Sequence, residues 1–209
     1  MTNETTIHPE PTIREDILEL VHPLLVNAKA FEQDLKEMPH RKFFSEKAII
    51  YYCKSDNPES NDTLRVGKWL NDVTDISEEE LYQAAVRNVA DKWMCIDFAE
   101  LGLTLGKTRE MAVLTFKGGD PLGAAAILSK DALKQMSSIL EGDFYALPSS
   151  IHEFICVRAD TDADPADLKK LTGAANRYGI DDYISEYEIL GEVPLFYDAQ
   201  AGVLKEVES

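Results

Sequence analysis

The sequence predicts an α+β fold in which helices pack on a mixed, largely antiparallel sheet of about five to six strands. Three observations carry this expectation. Two segments begin with a capping box, Ala48 to Cys53 is an unbroken β-branched and aromatic run, and short apolar runs alternate with turns rich in glycine and proline.

Thr12-Ile13-Arg14-Glu15 has the spacing of a capping box, in which the threonine hydroxyl accepts a first-turn amide and the glutamate reaches back. Ile13, Ile17, Leu20, Val21, Leu24, Ala28, Phe31 and Leu35 follow helical spacing, so one helix is expected from Thr12 to about Leu35, kinked or split at Pro23 and closed by Met38-Pro39. Ala48 to Cys53 reads as a strand covered on both faces, Ser55 to Asp62 as a polar loop, and Leu64 to Val66 as a short strand. Ser77-Glu78-Glu79-Glu80 is the second capping box, and its three acids suit the positive end of a helix dipole. On that helix Asn88 falls beside the buried stripe with Leu81, Ala84 and Ala85, where it is expected to satisfy a local backbone group.

Ala112 to Phe116 and Gly123 to Leu128 flank the turn formers Lys117 to Leu122, which predicts a β-hairpin. Ser129 is placed to cap a helix from about Lys130 to Leu140, ended by Gly142 and Asp143. Phe144 to Leu147 and Ile151 to Val157 give two strands, or one strand interrupted at Pro148. Asp164-Pro165-Ala166-Asp167 starts a helix expected to end at Gly179, and Leu195 to Tyr197 with Val203-Leu204 form a closing hairpin. The organisation expected is a flexible terminus, residues 1–11, followed by a single domain, residues 12–209.

Composition narrows the function classes. The 209 residues include 38 Asp and Glu against 21 Lys and Arg, a formal net charge of -17. Phosphate backbones and anionic lipid surfaces would repel such a chain, so direct nucleic-acid binding and membrane association are not expected. Cys53, Cys95 and Cys156 lack metal-ligand spacing and read as reduced core thiols. With no signal-peptide pattern and no long apolar window, a cytoplasmic location follows.

Several segments resemble the beginnings of known sites. Gly118, Gly119 and Gly123 follow a strand, but Ala124-Ala125 stand where a phosphate loop needs Lys and Ser or Thr. Asp160, Asp162 and Asp164 open like a calcium loop, yet Pro165 and Leu171 occupy the positions of its glycine and its bidentate glutamate. Ser149, Ser150, His152 and Glu153 form the one cluster of hydroxyl, imidazole and carboxylate, and these four are the candidate binding residues. In an extended strand Ser150 and His152 would project in parallel roughly 7 Å apart, too far for a nucleophile and its base. No catalytic set, metal site or cofactor site is expected. His40-Arg41-Lys42 is the main basic patch, expected to pair with acids of the C-terminal third.

Five blocks together resemble a bacterial family known only as a domain of unknown function. They are Leu25-Val26-Asn27 with Pro39 to Phe43; Ile49 to Tyr52; Glu79 to Tyr82 with Ala84, Ala85 and Asn88; Gly123 to Leu128; and Leu147-Pro148-Ser149-Ser150-Ile151-His152-Glu153, the most specific. Ile189-Leu190 and Phe196-Tyr197-Asp198 are similar to the family's close. The resemblance places this chain on the C-terminal two thirds of such proteins and implies a mixed α+β fold without a reaction. Glu46-Lys47 and Gly191-Glu192 depart from the pattern, which has an acidic-apolar pair and a Ser-Asp pair there.

These readings favour a non-enzymatic binding or regulatory module with a protein partner on an acidic face. The acid-rich stretch from Asp160 to Glu192 suggests an inhibitor mimicking nucleic acid as one alternative, and the Ser149 to Glu153 block a small hydrolase as another.

Overall fold

The computed structural model describes residues 12–55, 62–98, 111–119, 122–159, 164–177, 185 and 187–207. The expected flexible terminus, most of the Ser55 to Asp62 loop, the turn residues Asp120 and Pro121, Asp160 and Asp162 of the calcium-like motif, and the expected helix end at Gly179 lie outside these residues.

The fold is α+β, and its strands divide between two sheets where one was expected. The first sheet holds β1 (Val21–Asn27), β2 (His40–Phe43), β3 (Lys47–Lys54) and β4 (Thr63–Arg65), with β3 between β1 on one side and β2 and β4 on the other. The second runs β10-β9-β7-β8-β6-β5, from β5 (Trp93–Asp97), β6 (Met111–Phe116), β7 (Phe144–Ser150), β8 (Glu153–Arg158), β9 (Leu195–Asp198) and β10 (Val203–Glu206). Every one of these strand pairings is antiparallel.

The additional sheet begins where a continuous helix was expected. The capping box forms, with Glu15 N–H donating to Thr12 Oγ1 at 3.3 Å and Thr12 N–H to Glu15 Oε2 at 2.8 Å, but α1 (Ile13–Leu20) ends after eight residues. The chain then enters β1, which pairs with β3 from Val21↔Cys53 to Asn27↔Lys47. Pro23 explains the change: it cannot continue a helix, whereas an edge strand tolerates its missing donor. After the short α2 (Leu70–Val73), Asn88 at the end of α3 (Glu78–Asn88) closes the far end of α1. Its Nδ2 donates to the carbonyls of Leu18, Glu19 and Val21 at 3.0, 2.8 and 2.9 Å, so its partners are long-range and not local.

β3 is buried on both faces, as its unbroken apolar run requires. Ile49 and Tyr51 enter the main core, while Ala48 and Ile50 join Val26 and Phe31 in a second cluster. The main core draws on both sheets, bringing Ile49 and Tyr51 together with Leu114, Phe144 and Phe154, and it also takes Leu81 of α3 and Met136 of α4 (Lys130–Ile139). The Ser129 cap of α4 is realised, its hydroxyl accepting Ala132 N–H at 3.3 Å. The helix α5 (Pro165–Arg177) starts with its proline as expected.

The hairpin expected across Lys117 to Leu122 does not form. Gly123–Leu128 is a 3-10 helix, and β6 pairs instead with β5 and β8. Gly123 to Ile127 are all buried. A Cβ on Gly123 would lie 2.5 Å from His152 O and 2.7 Å from Phe116 N, so the bare glycine brings this backbone against β6 and the β7–β8 turn, and small alanines with good helix propensity follow it. All three cysteines are free; Cys156 is buried, and burial pushes the Cys95 thiol up to about 11. Among the described residues no helix is long and apolar enough to cross a membrane.

Candidate functional site

The block from Ser149 to Glu153 runs from the end of β7 through a two-residue turn into the first residue of β8. β7 runs through Pro148 to Ser150 with a bulge between Pro148 and Ser150, and Ile151 and His152 make the turn. Ser149 and Ser150 are buried. Ser150 Oγ accepts the His152 amide at 3.1 Å, while Thr115 Oγ1 donates to His152 O at 2.8 Å. Ile151 donates to Glu188 O at 2.8 Å and accepts from Ala124 N–H at 3.0 Å. The turn is thereby tied to β6, to the 3-10 helix and to a segment 36 residues downstream.

The His152 imidazole turns to Glu188, with Nε2 3.2 Å from Oε1. Hydrogen bonds from the Ser185 hydroxyl and amide, followed by the nearby imidazole, hold the Glu188 carboxyl below its ordinary value. Burial pushes the Glu153 carboxyl up. The Ser150 hydroxyl is thus engaged by a backbone amide, and His152 Nε2 meets the Glu188 carboxylate. Sequence reasoning missed Glu188 and Thr115, because neither stands in any local pattern with His152.

The basic patch finds different partners from those expected. Arg41 Nε and an Nη bond Glu78 at 3.1 and 2.8 Å, the same Nη bonds Glu79, and the guanidinium lies 3.9 Å from the centre of the Tyr82 ring. These carboxylates belong to the first turn of α3, not to the C-terminal third. Tyr51, fully buried on β3, donates its hydroxyl to Glu78, and burial pushes that hydroxyl up. Arg14 brackets the other side of the same turn, bonding Asp75 at 3.3 Å and also Glu80. Three of the resemblance blocks therefore meet here around one helix start.

This arrangement sets an acid limit on stability. Glu79 is held below its ordinary 4.5 by Arg41 and Gln83, and Glu80 by the Ser77 amide and hydroxyl and then by Arg14. A carboxyl with a depressed folded value stabilises the fold above its unfolded value and loses that contribution as pH falls through the folded one. The urea midpoint is expected to drop between about pH 5 and about pH 3, and Glu80→Gln to make that drop shallower. An unchanged slope in Glu80→Gln would contradict the assignment.

A third cluster joins the two sheets. Glu46 Oε2 accepts the amides of Glu192 and Val193 at 2.9 and 2.8 Å, and Ser45 donates its amide and hydroxyl to Glu206 at 2.9 and 2.6 Å. Lys47 is fully buried and donates to Val193 O at 3.2 Å; burial pulls its amine down, and Glu46 and Glu206 oppose that effect. The departures at 46–47 and 191–192 thus face each other. A cleft of about 280 Å³ lies apart from these clusters, lined by Glu141, Gly142, Asp143, Arg158, Ala159 and Phe196, with Arg158 already bonded to Glu141 at 3.1 Å. Among the described residues no group of three or more His, Cys, Asp or Glu side chains could hold a metal ion.

The sequence pattern of a family described as a family of unknown function, DUF5688, matches residues 12–198. Neither the curated proteins nor the solved structures include a match to this chain. Since the matched span covers most of the chain, from α1 through β9, the chain belongs to this family of unknown function.

Proposed function

We propose that the protein is a non-enzymatic binding or regulatory module of the bacterial cytoplasm, engaging a basic protein partner through its acidic surface. The observation that carries this reading is the internal use of the Ser149 to Glu153 block: Ser150 Oγ takes the His152 amide, and the imidazole takes Glu188. A hydrolase needs its base within hydrogen-bond reach of its nucleophile. The net charge of -17 supports a basic partner, since opposite charge speeds encounter and favours one class of surface over others. Much of the Asp160 to Glu192 stretch, on which the nucleic-acid-mimic alternative depends, lies outside the described residues.

Affinity capture from a native lysate is expected to recover a specific protein of high isoelectric point, and the purified pair should dissociate more readily as salt rises. Recovery of no specific partner counts against the reading. Turnover of ester or phosphoester substrates that Ser150→Ala abolishes overturns it.

A further inference from the structure

We propose that α1 is a strap that opens as a unit from α3 and β3 while the rest of the fold stays closed, and that its opening frees two carboxylates from Arg14 for the basic partner. The second half rests on the function proposed above; the first does not.

Its packing sets α1 apart from α3 and α4. Ile17 is its one buried residue, whereas α3 buries Leu81, Ala84 and Ala85 and α4 buries Ala132, Leu133 and Met136. Ile13 remains 62% exposed. Leu18 adds a partly buried apolar contact with the core, and the side-chain bonds of the first turn are polar and close to water. The Arg14 side chain is 40% exposed, and its partners Asp75 and Glu80 are 92% and 44% exposed. Ion pairs of that kind add little and are screened by salt. At the other end, a single Asn88 amide nitrogen with two hydrogens serves the three carbonyls of Leu18, Glu19 and Val21.

The boundary of the moving unit is equally defined. Val21 leaves the helix in an extended conformation, and from there β1 is paired with β3 along its whole length. An eight-residue helix is not stable by itself in water, so α1 loses its structure when it leaves α3. Segments with few buried apolar contacts open at lower free energy than the core. Opening removes Arg14 from Asp75 and Glu80 and leaves Arg41 as the cation bonded to the first turn of α3. A lysine-rich segment would then meet Asp75 and Glu80 without their arginine, Glu80 still holding the Ser77 cap.

Hydrogen exchange of the full chain, read by mass spectrometry, tests the strap without any partner. Amides of Asp16 to Leu20 are expected to exchange at least about tenfold faster than those of Ile49 to Tyr52. Raised sodium chloride, or Arg14→Gln, should accelerate the first group and leave the second unchanged. Arg14→Gln retains the capping box and Ile17, so the fold is expected to persist. Equal exchange in the two segments, or equal acceleration of both, overturns the strap. Binding of a lysine-rich peptide should be several-fold tighter in Arg14→Gln. If the peptide binds with unchanged affinity while the strap opens as described, the regulatory half is overturned and the binding function stands.

Discussion

Gly123→Ala is expected to destabilise the fold by about 4 kcal/mol or more, beyond the usual range of a single methyl added to a core. The new Cβ would stand 2.1 Å from Thr115 Oγ1, 2.5 Å from His152 O and 2.7 Å from Phe116 N. Two of those three atoms are backbone, held in the β5–β6 pairing and the β7–β8 turn, so no side-chain rotation relieves the contact. The 3-10 helix would have to withdraw, breaking the Ala124 to Ile151 hydrogen bond and opening the packing of Ala124, Ala125 and Ala126. Urea denaturation provides the measurement, or the melting temperature, which should fall by roughly 10 °C. A loss below about 1 kcal/mol would show that this backbone approach is not required.

Gly191→Ala should cost about 2–4 kcal/mol by a different route. The residue has φ +124, where side chains are strained, and its Cβ would fall 2.4 Å from Glu46 Oε2. That atom belongs to a side chain that could swing aside, but doing so would abandon the amides of Glu192 and Val193. The clash and the lost hydrogen bonds are therefore alternatives. A double-mutant cycle with Glu46→Ala separates them from backbone strain: the paired substitution is expected to cost less than the sum of the singles by at least about 0.5 kcal/mol. Strict additivity would mean that strain at position 191 acts alone.

Both glycines mark places where the chain closes on itself over long sequence distances, and the same principle governs the functional clusters. Arg41 meets Glu78 across 37 positions, His152 meets Glu188 across 36, and Asn88 reaches Leu18 across 70. Each pair combines ordinary residue types with no periodic relation in sequence. The candidate block itself was legible as a cluster of hydroxyl, imidazole and carboxylate, but its hydrogen-bond directions depend on a turn at Ile151-His152. Pro148 obscured that turn, because proline there marks a strand boundary as readily as the bulged stretch observed within β7.

By itself the sequence determined the elements whose causes are local. The capping boxes at Thr12 and Ser77, the Ser129 cap, the Pro165 helix start, the apolar run of β3 and the closing hairpin all lie where their own residues place them. Tertiary structure decided the segments whose residues suit two states. Val21 to Asn27 satisfies helical spacing and strand propensity alike, and the free side of β3 selected the strand. The alanines of Gly123 to Leu128 suit a tight helix or a buried strand, and the room left by a missing Cβ between β6 and the β7–β8 turn selected the helix. Local hydrogen bonding settles a cap or a turn within a few residues, whereas the choice between two apolar conformations depends on which distant surface can bury them.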